Sequence, residues 1–598
     1  MLSSISPNDR FNMAREALNS GRGEEALEQL SLLEAAFGQH VAVIHLQALA
    51  LRSLQREADA DAKFLLARRI EQPPFDPYVC ANHAALQEKL GRIADAEKSF
   101  DDAWHRAPER TDICMARLGF IHRQFGEKAA ISAFDVMTAM FPESTALHHR
   151  YALFLQKIDQ TAAALLETER VLALNPNQSG ALHLKARLEL DGGYGDAVAS
   201  YKTAKEHDPT DFSITQGLAA AIWNSDGTAA ALHFLDAQLE KQPEWINGWA
   251  LRARIAWQSG QDEEALSGYQ RACSRLPMND MLWISRLEDV AKMEGSAKSI
   301  EIALQRGGLL ELPPLLRSAL AEMTSTAGDF KNADALFDSL DEGQLPHISY
   351  VRHLIRKHQY EKALEIAERH AMHFNDMDSW VYVWTLWRVL GDPRLDWLNA
   401  QGRLVSYVDI PDFHLLQGQL AQKLNKLHAN MAQHPFDQSP RGGTQTDGHL
   451  FARTDPEIVT LRSLVHDAVK QVVADLPPVD PTHPFLSGPR HTLSYTGSWS
   501  IRLQNSGFHE AHYHSQGWMS SALYVALPDT IGTSEDSAEG WLELGKPPHD
   551  LGLDLEPLTL VEPKVGRLAL FPSILWHGTR PFPAGERLTI AFDIKAVE

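Results

Sequence analysis

Apolar positions over roughly the first two-thirds of the chain recur at helical spacing, and the helical runs are cut at nearly constant intervals. Prolines fall at Pro74, Pro108, Pro142, Pro176, Pro209, Pro243 and Pro277, each 33 or 34 residues after the last. Each follows a run such as Ala94-Asp-Ala-Glu-Lys-Ser-Phe100 and predicts its end, because proline has no amide to donate and its ring collides with the preceding turn. Gly91, Gly126, Gly227 and Gly260 stand about half a period earlier, where a tight turn between paired helices is needed. The pattern weakens at both ends. Gly21-Arg-Gly-Glu-Glu-Ala-Leu27 opens a unit without a closing proline, and Gly328 to Phe337 and Tyr360-Glu-Lys-Ala-Leu364 continue the array in degenerate form. Trp380, Trp384 and Trp387 lie at helical spacing near its end and read as core packing rather than a peptide clamp.

A period of 34 residues identifies this part as similar to tetratricopeptide (TPR) arrays, whose stacked helix pairs form a superhelix with a concave surface suited to an extended peptide. Between 397 and 435 the pattern stays largely helical, and turn-rich Pro435 to Gly448 marks a change. Beyond it the period shortens to two. Ser498–Gln504, Ser520–Leu527, Trp541–Leu544, Arg567–Phe571 and Arg587–Ile594 are predicted strands of a two-sheet barrel, with a helix over Asp455–Leu476 outside it. In the last strand Arg587, Thr589 and Asp593 share one face, while Leu588, Ile590, Phe592 and Ile594 share the other.

Composition narrows the function classes. The chain has 598 residues and a net charge of −22, with 78 acidic against 56 basic side chains, which disfavours general affinity for nucleic acid or anionic membrane. No apolar run is long enough to span a bilayer, and Met1 to Arg10 lacks the features of a secretory signal, so a cytoplasmic protein is expected. The three cysteines, Cys80, Cys114 and Cys273, fit a reducing compartment. Cys80 and Cys114 are one repeat apart and are expected to fill equivalent small buried positions.

Candidate chemistry concentrates near the C-terminus. In a strand, residues i and i+2 project from one face, so His512 and His514 can aim at one point, and His577 follows the apolar run Leu568–Pro572 that can return it there. Such a set suits a non-haem Fe(II) site with open positions for O2 and an organic cosubstrate. Arg587, ten residues beyond His577, and Thr589 suit the distal carboxylate of a dicarboxylic acid. Arg502 and Tyr524, polar groups in predicted strands, are further cosubstrate-binding candidates, Trp518 and Trp576 are candidate cavity walls, and Arg441 is a candidate at the mouth. Arg441-Gly-Gly-Thr-Gln-Thr446 lacks the Lys-Ser/Thr and the strand-to-helix setting of a phosphate loop.

From about Gln438 to Asp593 the chain resembles the 2-oxoglutarate/Fe(II)-dependent oxygenases of bacterial TPR proteins, related more distantly to prolyl 4-hydroxylases. The matching stretches are Gln438 to Thr446, Ser498-Trp-Ser-Ile-Arg-Leu503, Gly507-Phe-His-Glu-Ala-His-Tyr-His514, Gly517 to Val525, and Gly566 to Ser573 running into Trp576-His-Gly-Thr579. The resemblance implies a double-stranded β-helix (jelly roll) that couples substrate oxidation to decarboxylation of 2-oxoglutarate. One departure stands out. The wider superfamily usually has Asp or Glu two residues after the first His, and here that residue is His514, either a third ligand or a support for a two-histidine site completed by water. His509 reads as a loop or supporting residue.

The sequence therefore predicts a multidomain α + β protein: residues 1–396 an all-α TPR superhelix, degenerate after about 290, and residues 397–598 a double-stranded β-helix oxygenase domain with flanking helices. The expected function is an Fe(II)/2-oxoglutarate dioxygenase, with O2 as cosubstrate and no catalytic residue beyond the metal site. It would hydroxylate a protein or peptide recruited by the repeats. Two alternatives stand beside it: a non-catalytic TPR scaffold with a degenerate barrel, and a cupin-like metalloenzyme that does not use 2-oxoglutarate.

Overall fold

Each repeat proline in the described residues stands two positions beyond the end of a helix. In the computed structural model, helix Ile93–Arg106 precedes Pro108, Thr161–Leu174 precedes Pro176, Thr228–Lys241 precedes Pro243 and Asp262–Arg275 precedes Pro277. The structure describes residues 6–73, 75–429, 431–488, 490, 493–532 and 537–596, so Pro74 lies outside them. The carbonyls of these prolines recur as acceptors. Trp249 Nε1 donates to Pro243 O (3.0 Å) and Trp283 Nε1 to Pro277 O (3.1 Å), six residues on in each case, and the Cys114 thiol reaches Pro108 O in the same way. Cys80 and Cys114 are both buried. Gly126 adopts φ +82° inside what is otherwise a continuous helix from Thr111 to Met140, turning the chain where a residue with a Cβ would be strained. The array is thus a TPR-like helical-repeat region.

The described residues divide into two compact units, 6–151 and Ala152–Ala596. The first is all helical. The second contains the later helix pairs together with every strand. Among the described residues nine strands form there: β1 Ser406–Asp409, β2 Pro440–Gln445, β3 Leu493–His509, β4 Met519–Ala526, β5 Leu542–Leu544, β6 Thr559–Val561, β7 Arg567–Pro572, β8 His577–Thr579 and β9 Glu586–Ala596. They make a six-stranded sheet of order β1-β7-β4-β9-β3-β2 and a three-stranded sheet of order β6-β5-β8, antiparallel throughout.

This corrects the double-stranded β-helix expected from the sequence. Among the described residues the large sheet ends at β1 and β2 without closing, and no ladder joins it to the small one. The small sheet's strands are three residues each, too short to carry a second full layer. Helices cover the apolar side instead: Phe413–Leu427 packs on β4 and Pro456–Asp475 on β1. Leu588, Ile590, Phe592 and Ile594 of β9 are fully buried in the core so formed.

The core continues into the last repeat helix, Met377–Leu390, whose Trp380, Trp384 and Trp387 are buried with the sheet residues in one cluster. Polar contacts pin the same region. Trp576 Nε1 donates to Thr385 Oγ1 (2.9 Å), Arg356 and Arg352 pair with Asp550 (2.6 and 2.7 Å), and Thr161 Oγ1 donates to Ala452 O (2.6 Å). Among the described residues no helix is long and apolar enough to cross a membrane.

Candidate metal centre

His512 and His577 meet through an isolated antiparallel bridge. His512 N donates to His577 O (3.0 Å) and His577 N to His512 O (2.9 Å), which sets the two side chains next to each other. His514, two residues on, projects to the same side, held by its own amide to Ser573 O (2.8 Å). The three imidazoles each offer a nitrogen within 4.8 Å of the other two, a spacing that metal–nitrogen bonds of about 2.0–2.2 Å bridge with small movements of the rings.

Their outward nitrogens are all occupied. His512 Nδ1 lies 2.8 Å from Glu510 O, His577 Nδ1 lies 2.9 Å from Leu575 O, and His514 Nδ1 lies 2.7 Å from Asp593 Oδ2. Carbonyl and carboxylate oxygens can only accept, so each Nδ1 carries the proton and each Nε2 is left with a lone pair for the cluster. Burial and then the neighbouring His514 lower the His512 pKa to about 3, and burial and then His512 hold His577 well below the usual histidine range. Both rings are neutral at neutral pH, the form a metal binds.

A cavity opens from this cluster, lined from both sheets. On its floor lies Arg587, 2% exposed, with Nη1 donating to Gly540 O (3.0 Å) and its guanidinium over the Tyr524 ring at 5.2 Å. Burial lowers the Arg587 pKa without neutralising it. Arg587 Nε and the Tyr524 hydroxyl are buried without hydrogen-bond partners among the described residues. Leaving such groups unpaired costs about 1–3 kcal/mol each. Thr589 lines the same cavity one alternation further along β9.

The remaining sequence candidates fall elsewhere. Arg502 projects from the face opposite Ile501, beside His428 rather than into the cavity. Trp518 donates to Phe485 O (2.8 Å) and stacks on the Phe485 ring, and Trp576 turns its indole to Thr385, so neither lines the cavity. Arg441 lies on edge strand β2 and pairs with Glu510 (2.5 Å). His509 does line the cavity, but its Nδ1 meets Ser439 Oγ (3.0 Å) and it stands outside the three-nitrogen cluster. Sequence reasoning missed Asp593, the partner of His514, although it had placed Asp593 on the polar face of β9. Trp499, Gln438 and Gln445, also in the lining, carried no signal that separates them from ordinary strand residues.

Residues 497–593 match the family model described as "Putative 2OG-Fe(II) oxygenase". No curated protein matches the chain. Among solved structures, the chain is similar to the C-terminal part of a TPR repeat-containing protein from Cytophaga hutchinsonii, at 16% identity over 43% of this chain and 98% of that one, with a TM-score of 0.31. A tetratricopeptide repeat protein from Parabacteroides merdae gives 14% identity over 47% and 97%, TM-score 0.24, and yeast Tom70 gives 13% over 66% and 98%, TM-score 0.27. The second unit thus holds an oxygenase-like region containing a histidine cluster able to coordinate a metal ion.

Proposed function

We propose that the protein is an Fe(II)- and 2-oxoglutarate-dependent oxygenase acting on a protein or peptide recruited by the helical repeats. The observation that carries this reading is the pairing, in one cavity, of three convergent imidazole nitrogens with a buried guanidinium short of partners. Imidazole nitrogens suit Fe(II), and the Arg587 fork suits a terminal carboxylate. Bound together, Fe(II) and 2-oxoglutarate supply O2-dependent oxidation of a C–H bond coupled to decarboxylation to succinate. The chain's own part is positional. His512, His514 and His577 would hold the metal, Arg587 with Thr589 would grip the far carboxylate, and the apolar walls Ile501 and Phe571 would keep water from the reacting atoms. The repeats before residue 396 would supply the extended surface for the substrate.

A second reading is a TPR interaction scaffold whose metal site no longer turns over. The open six-stranded sheet and a cluster that has no carboxylate among the described residues fit this reading better than the first. Succinate release separates them. Protein loaded anaerobically with Fe(II) and 2-oxoglutarate, then exposed to O2 and fractionated cell lysate, should form succinate that is lost in His577→Ala. Stoichiometric metal with no succinate in any fraction would establish the scaffold, and oxidation without 2-oxoglutarate consumption would indicate a cupin-like metalloenzyme.

A further inference from the structure

The carboxylate missing from the metal cluster is present one hydrogen bond away. Asp593 lies on β9 directly across from Ser520 of β4, and on the same face as Arg587 and Thr589. Its Oδ2 accepts from His514 Nδ1 at 2.7 Å, and its Oδ1 accepts from Ser520 Oγ at 2.7 Å. Ser520 Oγ is in turn 2.9 Å from the Ser573 hydroxyl, which is fully buried, and 3.3 Å from His514 Nδ1. A serine has one proton to give. With the Ser520 proton on the carboxylate, Asp593 accepts from both sides, from Ser520 on one oxygen and from His514 on the other. The backbone locks the same corner: His514 N donates to Ser573 O, Ser573 N to Trp518 O, and Trp518 N to Ile594 O.

We propose that Asp593 is a positioning residue of the metal centre, supplying through His514 the negative charge that a directly bound carboxylate would supply elsewhere. The inference rests on the metal reading of the three histidines. A carboxylate accepting from Nδ1–H fixes the ring with Nε2 toward the cluster, and raises the electron density on that nitrogen. His512 and His577, by contrast, give their Nδ1 protons to neutral backbone carbonyls, so His514 is set apart as the strongest donor of the three. An acid therefore does contact the cluster, from β9 through the His514 ring rather than from position 514 itself.

The test uses Co(II) as the probe, with the full chain and the variants Asp593→Asn, Asp593→Ala, Ser520→Ala, His512→Ala and His577→Ala. Replacing such an outer partner typically lowers metal affinity about 10–100-fold. Asp593→Asn and Asp593→Ala should therefore weaken Co(II) binding by at least about tenfold and shift its visible ligand-field spectrum. Ser520→Ala should have a smaller effect, and the thermal unfolding midpoint of the Asn variant should stay close to that of the parent. In the metal-free protein, ¹⁵N NMR of the imidazoles should show His514 protonated at Nδ1 in the parent and a tautomer mixture in Asp593→Ala. Parent-like affinity, spectrum and tautomer in both Asp593 variants would overturn the inference, provided His512→Ala and His577→Ala still lose Co(II). If those two histidine variants bind Co(II) normally, the metal reading itself fails. A spectrum in the parent showing a carboxylate oxygen bound to the metal would also overturn it, since Asp593 would then be a ligand.

Discussion

Replacing Arg587 with Met probes a buried cation on the cavity floor that is short of hydrogen-bond partners. The side chain is 2% exposed, it uses one donor on Gly540 O at 3.0 Å, and its Nε has no partner. Methionine fills much of the same volume against the Tyr524 ring without a charge to desolvate. The loss is one hydrogen bond to Gly540 O, about 1 kcal/mol, and the gain is removal of an underpaired buried cation, worth at least as much. The ligand-free variant should therefore unfold at the same temperature as the parent or slightly higher. Binding should move in the opposite direction. A charge-assisted contact to a carboxylate contributes about 1.5–3 kcal/mol, so the dissociation constant for 2-oxoglutarate should rise roughly 10- to 150-fold. Titration calorimetry with Zn(II) in the site, where no turnover occurs, reads this directly, with Zn(II) affinity itself unchanged. If Arg587→Met lowered the unfolding temperature and abolished Zn(II) binding together, Arg587 would be a structural pin through Gly540 and the anion-binding argument would be wrong.

His512→Ala and His577→Ala should each abolish stoichiometric Zn(II) binding while leaving far-ultraviolet circular dichroism unchanged, because the bridge between these residues is made by backbone atoms. Trp576→Ala should lower stability by about 3–5 kcal/mol, seen as a reduced denaturant midpoint, since Trp576 is 4% exposed between Tyr382, Tyr513 and Thr385. His428 sits fully buried between Ser500 Oγ (3.0 Å) and Thr444 (2.8 Å), and burial, then Arg502, lowers its pKa to about 3. The unfolded chain takes up this proton near pH 6.5 and the folded one does not. Stability from this group is thus full above about pH 6.5 and falls by up to about 1.4 kcal/mol per pH unit toward pH 3, a slope that His428→Gln should flatten in urea titrations. A chain beginning at residue 397 should fail to show a cooperative unfolding transition, because it lacks Trp380, Trp384 and Trp387, which share the core of the sheet.

The repeats were legible because proline and glycine act through local sterics: a proline two residues past one helix of a pair and a glycine at positive φ past the other need no knowledge of what packs nearby. Strand β9 was legible for a similar reason, its alternation being strict over eight residues. Edge strand β2 was not. Arg441 to Gln445 has no apolar alternation, Gly442 takes φ +72°, and a Cβ on Gly443 would lie 2.2 Å from Arg502 O, so close backbone approach replaces side-chain pattern as the determinant. The expected closure of the sheets failed because alternation reports which face a residue takes and not which strand it pairs with. Within the site, spacing was enough to bring His512, His514, His577 and Arg587 together. It misled for Trp576, which precedes His577 in the sequence yet turns away from the cavity and packs with Tyr513 against Tyr382. Asp593 needed the register of β9 against β4 before its partner could be seen.

The central claim is that one cavity holds both a three-histidine metal and a 2-oxo acid gripped by Arg587. Anaerobic titration of the full chain with Fe(II) and 2-oxoglutarate, followed through the visible charge-transfer band that arises when a 2-oxo acid chelates Fe(II), tests both halves at once. The band should saturate at one Fe(II) and one 2-oxoglutarate per chain, be absent in His577→Ala, and need at least about tenfold more 2-oxoglutarate in Arg587→Ala. Stoichiometric Fe(II) binding with no band at saturating 2-oxoglutarate would contradict it.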